Sequence, residues 1–225
     1  MFAPVRQASW LNLDLNAPIE LCYFVIVRIL LLTNEFAQGR EQARDALGLF
    51  GDDVVSFSGR PTPALMSDLG IDWIVSDRNN HIIPIEVLEL AEGRAINTHS
   101  SLLPFNRGWA PIFFSVWTGT PVGVSIHLVD AGLDTGDIVF QRELGVSPED
   151  TLKSLYLRCR LAVLDGLVSI WPDLRKGETA HRQQIAGGSY HRRIEFEEHF
   201  AHLPNGWDST VAEVRSISSR FQSLQ

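Results

Sequence analysis

The run Val27-Arg28-Ile29-Leu30-Leu31-Leu32-Thr33 constrains this chain most, because four consecutive apolar residues leave neither face of a strand polar. A strand of that kind must be covered on both sides, as in the parallel sheet of an α/β fold. The next seventy or so residues alternate accordingly. Glu35 to Phe50 reads as a helix, Asp53 to Phe57 as a strand, Thr62 to Leu69 as a short helix and Ile71 to Val75 as a strand. A helix over Ile85 to Leu90 and a strand ending near Asn97 come next. The expected architecture is a Rossmann-like, mostly parallel sheet with helices on both faces. No G-x-G-x-x-G comes after the first strand, which argues against a dinucleotide site of the usual kind.

Asn97 and His99 are two positions apart after the apolar pair Ala95-Ile96, so on a strand end both side chains share a face. A second alternation, Val122, Val124, Ile126 and Leu128, runs into Asp130-Ala131-Gly132-Leu133-Asp134-Thr135-Gly136, a turn able to present a carboxylate. An amide can hold an oxyanion forming on a carbonyl. An imidazole can do the same or move a proton, and a carboxylate can orient the imidazole. No nucleophilic side chain is required if the substrate brings an amine, so the set suits acyl transfer to an amine. His127, alone on an apolar strand, reads as a hydrogen-bonded core histidine.

Asn97-Thr98-His99, then Ser101-Leu102-Leu103-Pro104, Arg107-Gly108, Gly123 to His127 and Leu133-Asp134 resemble the folate-dependent formyltransferase family, over roughly Val27 to Trp171. The resemblance implies a catalytic set of Asn97, His99 and Asp134, with 10-formyltetrahydrofolate as co-substrate. It also implies a pterin cradle at Ile82 and Ile83 and at the loop carrying Asp130 and Gly132, and places Phe105, Arg107 and Tyr190 near the other substrate. Within the family, the run from Phe105 to Trp117 and the tail Gly187-Gly188-Ser189-Tyr190-His191-Arg192-Arg193 are similar to the nucleotide-sugar N-formyltransferases. Their acceptor would be a nucleotide-linked amino sugar such as dTDP-4-amino-4,6-dideoxyglucose. Glycinamide ribonucleotide formyltransferases usually read N-I-H-P-S-L-L-P, where this chain has Thr98 and Ser100. Methionyl-tRNA formyltransferases carry a further tRNA-gripping domain, and a catalytically idle folate- or nucleotide-binding relative is the reading outside enzymes.

A formal charge of −8 argues against nucleic acid as a partner, since phosphate backbones attract a basic excess. The apolar run Leu21 to Leu32 is interrupted by Arg28 and too short to span a bilayer, so a cytoplasmic protein without a membrane partner is expected. Cys22 and Cys159 fit neither a disulfide framework nor a zinc pattern and read as packing residues. His199 and His202 lack a third ligand, and no metal site is expected.

Residues 1–26 lack a clear period. They read as a dispensable extension or an over-long gene start before an initiator at Val27, the rival reading being an extra strand through Cys22 to Ile26. Residues 27–175 form the catalytic unit. Trp109 to Trp117 within it is a helix whose apolar stripe faces the core, and Ser147 caps a long helix with Pro148 at its first position, ending at Trp171-Pro172. In residues 176–225, Ala180 to Ile185 and Tyr190 to Ile194 flank Gly187-Gly188 as an expected hairpin before a helical or loose tail. That hairpin is the expected contact of a homodimer.

Overall fold

The computed structural model describes residues 26–34 and 40–223. The extension up to residue 25 and the helix start expected at 35–39 lie outside them. In chain order the elements are β1 (Arg28–Thr33), α1 (Arg40–Gly48), β2 (Asp53–Phe57), α2 (Pro63–Leu69), β3 (Trp73–Asp77), α3 (Ile85–Ala91), β4 (Ala95–His99) and β5 (Arg107–Gly108). They continue with α4 (Pro111–Thr118), β6 (Gly123–Leu128), β7 (Ile138–Glu143), α5 (Leu152–Leu174), β8 (Tyr190–His191), α6 (Arg193–Phe200) and α7 (Val211–Gln222).

A six-stranded sheet runs β2-β1-β3-β4-β6-β7. β1 to β4 pair in parallel, and β6 lies antiparallel to both β4 and β7. Both faces of β1 are covered, as its unbroken apolar run requires. Ile29 and Leu31 belong to the core that also holds residues of α1, α4, α5 and α7, while Leu30 and Leu32 belong to a second core with residues of α2 and α3. Between α5 and the start of β1, buried Asp52 accepts from Trp171 Nε1 at 2.7 Å, Arg175 Nη1 at 2.6 Å and the Val27 amide at 3.2 Å. Asp52→Ala removes the carboxylate from three donors at once, and a loss of about 3–5 kcal/mol is expected. Urea unfolding of the two proteins measures it; an unchanged midpoint would show that the surroundings collapse to replace the contact.

Three local expectations are corrected. The long helix starts at Leu152, not after Ser147. Thr151 Oγ1 accepts from the Ser154 amide at 3.0 Å and Ser154 Oγ accepts from the Thr151 amide at 3.1 Å. Ser147 to Asp150 is a separate turn, closed by the Ser147 amide donating to Asp150 Oδ2 at 2.9 Å. Both stretches carry capping chemistry; the second wins because Leu152 is pinned by the Ser209 carbonyl at 3.1 Å. The helix also passes through Pro172 and ends two residues later at Leu174.

The expected hairpin does not form. Tyr190-His191 pairs in parallel with Arg107-Gly108, and Arg182 bridges to Ile138 of β7. Gly188, at φ +92°, serves close approach, because a Cβ there would lie 2.1 Å from the Pro104 carbonyl oxygen. These segments are paired within the chain. The helical part of the appendage is present as α6 and α7. In it His199 stacks on Trp117 at 4.7 Å and His202 lies against Phe221. Among the described residues no group of three His, Cys, Asp or Glu side chains is placed to hold a metal ion, and no helix is long and apolar enough to cross a membrane. Cys159 is fully buried, and burial pushes its thiol up to about 12.

Candidate active site

β4 and β6 pair so that Asn97 faces His127 and His99 faces Ser125. The loop after β6 turns back and brings Asp134, at φ +53°, over the end of β4. One carboxylate oxygen, Oδ1, accepts from Asn97 Nδ2 at 3.2 Å and lies 3.4 Å from His127 Nε2. The other, Oδ2, accepts from the Gly108 amide at 2.8 Å and lies 3.6 Å from His99 Nδ1. Asn97, His99 and Asp134 are therefore brought together as expected from the sequence. Behind them, buried Asp77 accepts from Thr98 Oγ1 at 2.7 Å and Arg160 Nη1 at 2.6 Å, anchoring β4 between Asn97 and His99.

His127 joins this group, although its place on an apolar strand suggests a core role. It is buried, and its Nδ1–H donates to the Leu128 carbonyl at 2.7 Å, so the neutral ring offers a lone pair at Nε2. Asn97 Nδ2 donates to that lone pair at 3.1 Å. The amide thus divides its two hydrogens between Asp134 and His127. His99 is arranged differently: Nε2–H donates to the Asn106 carbonyl at 2.8 Å, so Nδ1 is the nitrogen turned toward Asp134. Burial alone would raise the Asp134 pKa, but it is outweighed by the charges that His99 and His127 carry when doubly protonated, by the hydrogen bond that His127 Nε2 donates in that form, and by the Gly108 amide. The carboxyl is held well below its usual range.

These groups form the floor of a cavity of about 960 Å³. One wall is apolar, with Ile82, Ile83, Val129 and the Asp130–Leu133 turn. Ile83 is buried and Ile82 exposed, and Asp130 Oδ1 closes the turn by accepting from the Gly132 amide at 3.0 Å and Thr135 Oγ1 at 2.7 Å. Elsewhere the lining is aromatic and cationic, with Trp109, Tyr190, Arg192, Arg193 and Trp207. Of the side chains expected near the second substrate, Tyr190 lines it. Phe105 and Arg107 do not; the Arg107 guanidinium instead donates to Gln184 Oε1 at 2.9 Å. Arginines that line the cavity include Arg192 and Arg193, which come just after β8, and Arg78 beyond β3.

The formyl transferase family model matches residues 62–170, the stretch holding Asn97, His99, His127 and Asp134. The formyltransferase PseJ from Anoxybacillus kamchatkensis, solved with UDP-4,6-dideoxy-4-formamido-L-AltNAc and tetrahydrofolate, is 35% identical. That match covers 85% of this chain and 99% of PseJ, with a TM-score of 0.77. A Mycobacterium tuberculosis protein described as a sugar N-formyltransferase candidate is 26% identical over 78% of each chain, with a TM-score of 0.67. A sugar N-formyltransferase from a Shewanella species shares the fold at a TM-score of 0.68, 22% identical over 86% of this chain and 87% of its own. The near-complete span shared with PseJ agrees with the clustered amide, imidazole and carboxylate, and the chain belongs to the formyltransferase family.

Proposed function

We propose that this enzyme transfers the formyl group of 10-formyltetrahydrofolate to the amine of a nucleoside-diphosphate-linked amino sugar. The observation that carries this reading is the meeting of Asn97, His99 and Asp134 in a cavity lined by both apolar and aromatic-cationic side chains. The apolar wall at Ile82, Ile83 and Leu133 suits a flat heteroaromatic ring. The wall at Tyr190, Arg192 and Arg193 suits a diphosphate with a stacked base. At about 960 Å³ the cavity reaches the upper end of ordinary ligand sites, in keeping with two reactants side by side.

In this reading the amine attacks the formyl carbon. Asn97 Nδ2 and the protonated Nδ1 of His99 donate to the oxygen that becomes negative. Asp134 keeps that imidazolium oriented and takes part in moving the amine's proton through water. As the new nitrogen–carbon bond forms, the carbon's bond to the folate nitrogen breaks, and a proton is returned to that nitrogen. To donate to the oxyanion, Asn97 must yield one of its bonds to Asp134 and His127, and the charge then developing on oxygen compensates for it.

PseJ's complex makes a UDP-linked 4-amino-dideoxy sugar the first acceptor to test, beside the dTDP-linked sugar suggested by sequence resemblance. The protein is incubated with 10-formyltetrahydrofolate and both sugars, and each product is weighed by mass spectrometry for one added formyl group. No transfer to any nucleotide amino sugar, despite saturable folate binding, would overturn the proposal. The cationic wall gives a further expected result: joint Arg192→Gln and Arg193→Gln substitution raises the KM for the nucleotide sugar by about tenfold or more, while the KM for folate stays put. An unchanged KM would place the diphosphate elsewhere.

A further inference from the structure

Asn106 is completely buried and holds a left-handed backbone at φ +57°, a conformation that asparagine tolerates better than most residues. Each of its polar groups is engaged. Its amide donates to Ser189 Oγ at 2.8 Å, and its Nδ2 donates to Ser115 Oγ at 2.9 Å and Thr120 Oγ1 at 2.7 Å. Its Oδ1 accepts from Ser189 Oγ at 3.1 Å and His191 Nε2 at 3.2 Å, the His191 ring being stacked on Phe114 at 3.7 Å. Its remaining group, the main-chain carbonyl, accepts from His99 Nε2 at 2.8 Å.

The next three residues extend this into a two-sided clip. Asn106 O and the Gly108 amide face the catalytic pair, the first holding His99 and the second Asp134. The amides of Arg107 and Trp109 donate the other way, to the carbonyls of Ser189 and His191, each at 2.9 Å. A carbonyl cannot donate, so the nitrogen of His99 that meets it must carry the hydrogen. We infer that Asn106 is a positioning residue for formyl transfer, whose carbonyl locks His99 as the Nε2–H tautomer and leaves Nδ1 to gain and lose the catalytic proton. The same clip ties that lock to the segment carrying Tyr190, so the histidine and the substrate wall are set by one loop.

The inference rests on His99 acting in the proposed transfer, but its first test needs no turnover. Long-range proton–nitrogen spectra of histidine-labelled protein, assigned with His99→Gln, report which nitrogen holds the hydrogen in the neutral ring at alkaline pH. Nε2–H alone is expected. A neutral ring protonated on Nδ1, or a mixture of the two forms, overturns the inference whatever the activity. The second test compares Asn106→Val, which is β-branched and cannot keep a positive φ, with Asn106→Gly, which can. The valine variant is expected to show mixed tautomers and a kcat lower by about tenfold or more, with both KM values within about threefold. The glycine variant is expected to keep one tautomer and more of its kcat. A folded valine variant that loses kcat with the Nε2–H form intact overturns the positioning role. If it does not fold, the wild-type and glycine spectra decide.

Discussion

Asn97→Ala is expected to lower kcat by on the order of a hundredfold or more, about 3 kcal/mol of transition-state stabilisation. The amide is half-buried in mid-strand, with Thr98 bonded to Asp77 on the other side, so its backbone has little freedom to move. Truncation removes a donor aimed at the cavity floor without touching either wall. Binding of folate and of the nucleotide sugar should therefore change by no more than about threefold, because the lost interaction strengthens only as charge develops on the formyl oxygen. Single-turnover kinetics with both substrates saturating isolates the chemical step. Wild-type turnover would remove Asn97 from the reaction. A proportional loss of binding would mean that its bonds to Asp134 and His127 hold the cavity in shape.

The parts of the site legible from sequence are those encoded locally. Asn97 and His99 share a face because strand periodicity places them there, and Asp134 sits in a turn whose glycines and short polar residues mark it. His127 is hidden from such reasoning because its role depends on pairing register. The alternation of Val122, Val124, Ile126 and Leu128 identifies one apolar face of the strand, but only the β4–β6 pairing brings the other face, with Ser125 and His127, beside His99 and Asn97. The one signal in the sequence is that Gly123, Ser125 and His127 form a small and polar stripe. Ser125 is buried yet satisfied, donating to the Ser101 carbonyl at 2.7 Å and accepting from the Leu103 amide at 3.1 Å. A polar stripe on a fully covered strand points to a site or a network.

The tail departs from its local pattern for a related reason. Gly187-Gly188 between two short runs is sound local evidence for a hairpin, but the partner of Tyr190-His191 lies at Arg107-Gly108, eighty-three residues earlier. A Cβ on Gly108 would sit 2.5 Å from the His191 carbonyl oxygen and 2.7 Å from the Tyr190 ring, so this glycine is the distant counterpart of that pairing. Arg107 is expected near the second substrate only from its position next to the motif. The parallel pairing sends its side chain to Gln184 instead and puts Arg192 and Arg193 at the cavity.

Asp134→Asn is expected to have the largest effect, a fall in kcat of about a thousandfold, within the range for groups that act in proton transfer. Burial opposes the charge on Asp134, but His99, His127 and the Gly108 amide overcome it and hold the carboxyl well below its usual range. The sign comes from linkage. A carboxylate whose folded pKa is depressed contributes stability that is fully present above its unfolded value of about 3.9 and lost as pH falls from there toward the folded value. Asp134 is thus ionised throughout the neutral range. His99 Nε2 faces a carbonyl and Nδ1 a carboxylate, so the doubly protonated ring has an acceptor for each hydrogen. Asparagine keeps the shape and the Gly108 contact but supplies no charge to hold that cation. Single-turnover transfer with both substrates saturating measures the fall, while binding of folate and of the nucleotide sugar should change by no more than about threefold. Wild-type turnover in the asparagine variant would remove the charge of Asp134 from the mechanism, and with it the contacts to His99 Nδ1 at 3.6 Å and His127 Nε2 at 3.4 Å.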